Sequence, residues 1–150
     1  MNHLAENKKA LFNYDLITRI EAGIILQGWE VKSIKDRRAS LKESFIIVKN
    51  NQAWLVGAHV ARWTGANINS DLEYRERALL LNKKEVRELQ TQVKIKGQTI
   101  VPLNIHLHRN IIKIEIALAK GRKMFDKRSA IKERDQKREI QRDLKTMGYK

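Results

Sequence analysis

Two neighbouring stretches late in the chain alternate apolar and polar residues with a period of two, and together they demand a pair of strands. TIVPLNIHLH (99–108) sets Val101, Leu103, Ile105 and Leu107 on one side, and IIKIEIALA (111–119) does the same with Ile112, Ile114, Ile116 and Leu118. Successive strand residues point to opposite faces, so each stretch predicts a strand with one buried face. Arg109-Asn110 between them predicts the turn of a hairpin. Pro102, the only proline, predicts an edge or a strand start, because it lacks the N–H that a ladder uses.

The same period runs through Phe12, Tyr14, Leu16, Ile20, Ala22, Ile24 and Leu26, predicting a long strand with a bulge or bend at Gly23. Residues 28–37 break it. The spacings Trp29/Ser33 and Val31/Ile34 predict a short helical turn there. SFIIVK (44–49) and AWLVGAHV (53–60) flank Asn50, Asn51 and Gln52, a second hairpin. Residues 62–77 are polar and unpatterned and predict a long loop. ALLL (78–81) then leads into a helix capped by Asn82, with Glu85 three residues later completing a capping box. Val86, Leu89 and Val93 mark its buried face, and Gly97 is expected to close it. Phe12, Phe45 and Trp54 are assigned to core packing. Strands, one capped helix and two more strands form the element order of an oligonucleotide-binding barrel, and a different small barrel or a half-open sandwich would share it. The expected class is mainly β.

Residues 121–150 differ in kind. They hold eleven Lys/Arg against five Asp/Glu, a net +6 of the chain's total +14, which leaves +8 on residues 1–120. On a helix, Arg134, Arg138, Arg142 and Lys145 form one stripe, with Ile140, Leu144 and Met147 roughly opposite. Three apolar residues do not offset an ordering cost of about 1–2 kcal/mol per residue. The division expected is a folded domain over 1–120 and a basic tail over 121–150, mobile when free and helical against a polyanion. Charge on both parts points to nucleic acid touched in more than one place. No run approaches the roughly 20 apolar residues of a spanning helix, so no membrane partner is expected. The absence of cysteine fits a reducing cytoplasm.

Enzyme readings find little support. His106 and His108 share a strand face, yet no third metal ligand stands near them in sequence, and they read as an exposed pair. No nucleophile elbow, phosphate-binding loop or zinc-protease motif occurs. No cofactor is implied. Phe125, between Lys123 and Lys127, has the setting of a ring that stacks on an unpaired base.

These residues resemble one family from end to end, the SsrA-binding proteins (SmpB), partners of transfer-messenger RNA in bacterial ribosome rescue. NKKALFNY (7–14), EAGIILQGWEVKSI (21–34), RERALLLNKKE (75–85), TIVPL (99–103), KIEIALAKGRKMFDKR (113–128) and KERDQKRE (132–139) carry the likeness in the family's order. The resemblance implies a closed barrel related to the oligonucleotide-binding fold, with short helices and a tail disordered in solution. It implies no catalysis. The barrel would bind the tRNA-like domain of transfer-messenger RNA, and the tail would turn helical in the decoding centre and empty mRNA channel of a stalled ribosome. Elongation factor Tu would join the delivered complex.

By the same likeness, Glu21, Leu80 and Asn82 contact the RNA. Two departures, Tyr74 where the family has proline and Ala78 where it has lysine, remove one expected phosphate contact and leave Lys83 and Lys84 to supply it. In the tail, Gly121 is the implied hinge, Arg122 and Lys123 are ribosome-binding residues, and Asp126, Lys127 and Arg128, beside Phe125, would lie where codon and anticodon are inspected. Arg134, Arg138 and Arg142 would meet phosphates of the channel. The competing reading is a ribosomal-protein-like component embedded permanently in rRNA, with a metal-dependent RNA-processing enzyme third.

Overall fold

The computed structural model describes residues 3–63 and 69–121. In chain order its elements are β1 (His3–Glu6), α1 (Lys8–Asn13), β2 (Tyr14–Ile24), α2 (Gly28–Lys35), β3 (Ala39–Ser40), β4 (Phe45–Lys49), β5 (Gln52–Val56) and β6 (His59–Val60). A short 3-10 helix (Ser70–Tyr74), β7 (Arg77–Leu80), α3 (Lys83–Gln92), β8 (Gln98–His108) and β9 (Ile111–Gly121) follow.

The sheet closes on itself. Its strands run β8-β4-β5-β7-β2-β9, and β9 pairs back onto β8, every neighbour antiparallel. Closure gives every strand of the ring two neighbours, although β2 meets β7 only at Gly23 and Ile24 and β4 meets β8 only at Ile46. β1 adds to β8 on the side that β4 leaves free, and β3 pairs with β6 separately. A mainly β closed ring with short helices is thus what the chain forms.

Alternation builds the interior. Ile46, Leu55, Leu79, Ile100, Ile105, Ile112, Ile114, Ile116 and Leu118 point inward from the ring, joined by Ile34 of α2 and Leu89 of α3. Each such side chain contributes roughly 1.5–3 kcal/mol when fully buried. A second, smaller cluster lies outside the ring, where Ala10 of α1 covers Val101, Leu103, Ala117 and Ala119. Asn7 ties this helix down, accepting from the Ala10 N–H at 3.3 Å and donating through Nδ2 to the Pro102 carbonyl at 2.9 Å.

That cluster corrects the expected single apolar row of β8. Val101 and Leu103 face α1, whereas Ile105 and Leu107 face the main core, because the register with β9 shifts between Pro102 and Asn104. The extra residue turns the strand over. Pro102 therefore sits in mid-strand at a bulge, between the residues that pair with β4 and those that pair with β1, where its missing N–H costs no ladder bond.

Other expectations shift in the same way. The long strand begins at Tyr14, not Phe12, which belongs to α1. Its bulge falls between Leu16 and Thr18, while Gly23 stays in register with both neighbours. Residues 62–77 contain the 3-10 helix and the start of β7, and ALLL is largely strand rather than a lead-in to α3. α3 ends at Gln92, so Gly97, with φ +85°, closes the turn into β8 instead of the helix. Phe45 is 44 % exposed, and Trp54 lies on the outer side of β5 beneath the Lys49 ammonium, outside the core.

Both hairpins turn on two left-handed residues, Asn50-Asn51 (φ 53° and 59°) and Arg109-Asn110 (φ 54° and 64°). These angles fit the type I′ turn that matches strand twist. Asparagine tolerates them, but arginine pays a steric cost there. Arg109→Gly is expected to raise stability by up to about 1 kcal/mol, read by urea denaturation.

Candidate nucleic-acid interface

Because Ile20, Ala22 and Ile24 of β2 and the even residues of β9 fill the ring, Glu21 and Gly23 of β2 and Lys113 and Glu115 of β9 stand on its outer side. Before the β2 bulge, Tyr14 and Leu16 instead pack on the outer cluster. Register then aligns Leu80, Gly23, Lys113 and His106 in one row across β7, β2, β9 and β8, with Glu21, Glu115 and Asn104 in the row beside it. This is the face on which two of the expected RNA contacts meet.

Glu21 is 38 % exposed at its side chain and accepts from two histidines, His108 Nδ1 at 2.9 Å and His106 Nε2 at 3.2 Å. The bond from His108, helped by that from His106 and opposed by partial desolvation, holds the Glu21 carboxyl below the usual carboxylate range. It is charged at neutral pH. The histidines are no exposed pair: His108 is exposed, but His106 is 1 % exposed and donates through Nδ1 to Asn104 Oδ1 across 2.7 Å. Sequence spacing put them on one face; the covering by β1 and by Glu21 was not readable from it. Among the described residues no group of His, Cys, Asp and Glu could hold a metal ion.

Leu80, which alternation alone would have buried, is 59 % exposed. It lies over Gly23, where an added Cβ would stand 3.1 Å from the Leu80 Cβ. Glycine here permits the close approach that sets Leu80 flat on the sheet. Two residues on, Asn82 caps α3 as expected: the Glu85 N–H donates to Asn82 Oδ1 at 2.8 Å, and the Asn82 N–H donates to Glu85 Oε1 at 3.1 Å. The cap engages Oδ1 and not the Nδ2 donors. Lys83 and Lys84 are exposed in the first turn of α3. Glu21 and Leu80 thus stand on the outer side of β2 and β7, and Asn82, Lys83 and Lys84 follow at the start of α3.

The departures also find a place. The Tyr74 ring lies 4.7 Å from that of His59, and Ala78 is the register partner of Trp54. Of the tail residues, Gly121 is the last paired residue of β9, opposite Tyr14. Arg122, Lys123, Phe125, Asp126, Lys127, Arg128, Arg134, Arg138 and Arg142 lie outside the described residues.

One group escaped the sequence reading. Glu30 of α2 and Arg77 of β7 are both fully buried and bonded to each other, and Arg75 donates to the same carboxylate through Nε at 3.2 Å. Arg77 also donates to the carbonyls of Ala58 at 3.0 Å and Glu73 at 3.1 Å. Burial alone would raise the Glu30 carboxyl, but bonds from Arg75, the Gln27 N–H and Arg77 outweigh it and hold the group below its usual range. These arginines, both within the family-like segment RERALLLNKKE, fix β7 in place. Glu30 three residues after Gln27, on the helix side that also carries Ser33 and Ile34, was the only hint.

A closed basic ring with an external polar face, beside a helix start bearing two lysines, is the form of a small nucleic-acid-binding barrel. The profile of the family described as SmpB protein matches residues 4–146. The chain is 47% identical over 146 residues to an SsrA-binding protein of Coxiella burnetii (strain Dugway 5J108-111), covering 97% of this chain and 92% of that one. An SsrA-binding protein of Fusobacterium nucleatum is 44% identical over 142 residues, covering 95% of this chain and 96% of that one. A solved structure described as "tmRNA-SmpB: a journey to the center of the bacterial ribosome" contains a chain that superimposes with a TM-score of 0.66 at 36% identity, over 79% of this chain and 84% of that one. The chain belongs to the SmpB family of SsrA-binding proteins.

Proposed function

We propose that this chain binds the tRNA-like domain of transfer-messenger RNA with its barrel and delivers that RNA to stalled ribosomes for trans-translation. Membership of the SmpB family over nearly the whole chain is the observation that carries this reading. The reading is supported by the closeness of Leu80 to Gly23, two residues from Glu21 on β2, and by Asn82 two residues beyond Leu80. There the exposed Leu80 offers an apolar surface to a base or ribose, and Lys83 and Lys84 offer charge to phosphates. Glu21 offers acceptors to the amino or imino donors of an unpaired base.

The tail, by its charge and its stripe of arginines, occupies the decoding centre and the empty mRNA channel, with Asp126, Lys127 and Arg128 nearest the site of codon inspection. Elongation factor Tu accompanies the delivered complex, and the work is done in the cytoplasm without catalysis by this chain. Among the described residues no helix is long and apolar enough to cross a membrane.

The expected outcome for the barrel is that Glu21→Gln and Asn82→Ala each weaken binding of the tRNA-like RNA by about tenfold, read by filter binding. Thermal melts should show Glu21→Gln folded as wild type and Asn82→Ala lowered by only about 1 kcal/mol, the worth of its cap. Undiminished affinity in both variants would move the RNA to another face.

A further inference from the structure

His106 has acceptors on both sides of its ring. Nδ1 faces Asn104 Oδ1 at 2.7 Å, and Nε2 faces Glu21 Oε2 at 3.2 Å. A neutral imidazole carries one N–H, and only the imidazolium satisfies two acceptors at once. The ring is buried at 1 % exposure, so water does not substitute for either partner.

We propose that His106 is a positioning residue for Glu21, an imidazolium wedged between Asn104 and the carboxylate that fixes the acceptors Glu21 presents to RNA. This rests on the reading of Glu21 as an RNA contact. A carboxylate facing a polyanion is repelled unless a cation compensates it, and His106 compensates it from below while leaving its outer side open. Each carboxylate oxygen accepts one histidine N–H, Oε1 from His108 and Oε2 from His106, and keeps one further lone pair. The two that remain match a pair of N–H donors on one edge of an unpaired base. A carboxylate without the wedge would rotate about its side-chain torsions and lose that fit.

Burial and the Lys113 ammonium oppose the charged ring, and the two acceptors oppose them in turn. Lys113 of β9 is the register partner of His106, and His3 of β1 lies 6.3 Å away, its Nδ1 already engaged by Glu6 at 2.8 Å. On β9 and β2, Glu115 is paired to Arg19 at 3.4 Å. Glu21 is therefore the carboxylate that His106 meets directly, and His108 is the other histidine that shares it.

The test combines spectroscopy and binding on the full chain. Nitrogen-15 spectra of the wild-type histidine side chains at pH 6 and 7 should show both His106 nitrogens protonated; a neutral His106 tautomer at pH 6 overturns the proposal without any variant. In a His108→Gln background, affinity for the tRNA-like RNA should fall about tenfold from pH 6 to pH 8. Adding either His106→Gln or Glu21→Gln should abolish that pH dependence. The two substitutions should also be non-additive at pH 6, each alone weakening binding about as much as both. Asn104→Ala, which removes the Nδ1 acceptor without touching Glu21, should weaken binding in the same direction. If Glu21→Gln weakens binding and His106→Gln does not, the positioning role fails while the RNA contact stands. If Glu21→Gln has no effect, the RNA contact itself fails and the positioning role with it.

Discussion

Arg77→Met is expected to destabilise the barrel by about 3–5 kcal/mol, the largest effect of any single substitution on its described surface or core. The guanidinium is fully buried and answers several acceptors at once: the Glu30 carboxylate and the carbonyls of Ala58, Leu72, Glu73 and Arg75. Methionine fills much of the volume but leaves the Ala58 carbonyl without this buried donor and the buried Glu30 carboxylate with only Arg75 and the Gln27 N–H. Replacing both partners, as Glu30→Met with Arg77→Met, should recover part of the loss, because the buried carboxylate then goes too. Urea denaturation reads both. A loss under about 1 kcal/mol for Arg77→Met would show that the network does not hold β7.

The same network sets the acid limit. Glu30 is held below the usual carboxylate range in the folded chain, whereas its unfolded value is about 4.3. A depressed carboxyl adds stability that is fully present above the unfolded value and is lost as pH falls through the folded value beneath it. Wild-type stability should therefore drop below about pH 4, and the Glu30→Met, Arg77→Met double variant should lack that component. Through β7 the ion group reaches the proposed RNA face, since β7 ends at Leu80 and Asn82 follows two residues later.

The second large effect is on function. Ending the chain after Gly121 should leave affinity for the tRNA-like RNA within about threefold of the full chain, yet reduce peptide tagging on stalled ribosomes to background. The ring is complete at that point: Gly121 is the last residue paired to β2, and its N–H donates to the Gly97 carbonyl at 3.3 Å. A cut after Lys120, at the boundary drawn from sequence, would remove that pair. The salt dependence gives an independent reading. If residues 122–150 touch ribosome and not transfer-messenger RNA, the slope of log affinity against log salt should be unchanged by the cut. A shallower slope would place some of the tail's cations on the transfer-messenger RNA.

Much of the ring was legible in the chain because period-two patterns report local geometry. The β8–β9 hairpin, the hairpin at Asn50-Asn51, α2 and the capped start of α3 all follow from residues within one turn or one strand of each other. What failed depends on distant partners. β7 was missed because a four-residue strand has no visible period, and only its ladders to β2 and β5 define it. The bulge after Pro102 inverted the outward and inward assignment of half of β8, and α1 supplied an outer core that no alternation announces. The site divides likewise. Asn82 was readable as a cap, and Glu21 as the odd residue between the inward-facing Ile20 and Ala22. The burial of His106 and of Arg77 required the fold.

The most direct measurement is competition between the tRNA-like domain of transfer-messenger RNA and an arbitrary duplex of equal length, at one salt concentration, for the chain ended after Gly121. A preference of about a hundredfold or more for the structured RNA, largely erased by Glu21→Gln together with Asn82→Ala, is expected. Equal binding of the two RNAs would mean that the barrel senses only backbone charge, and that its outer face recognises nothing.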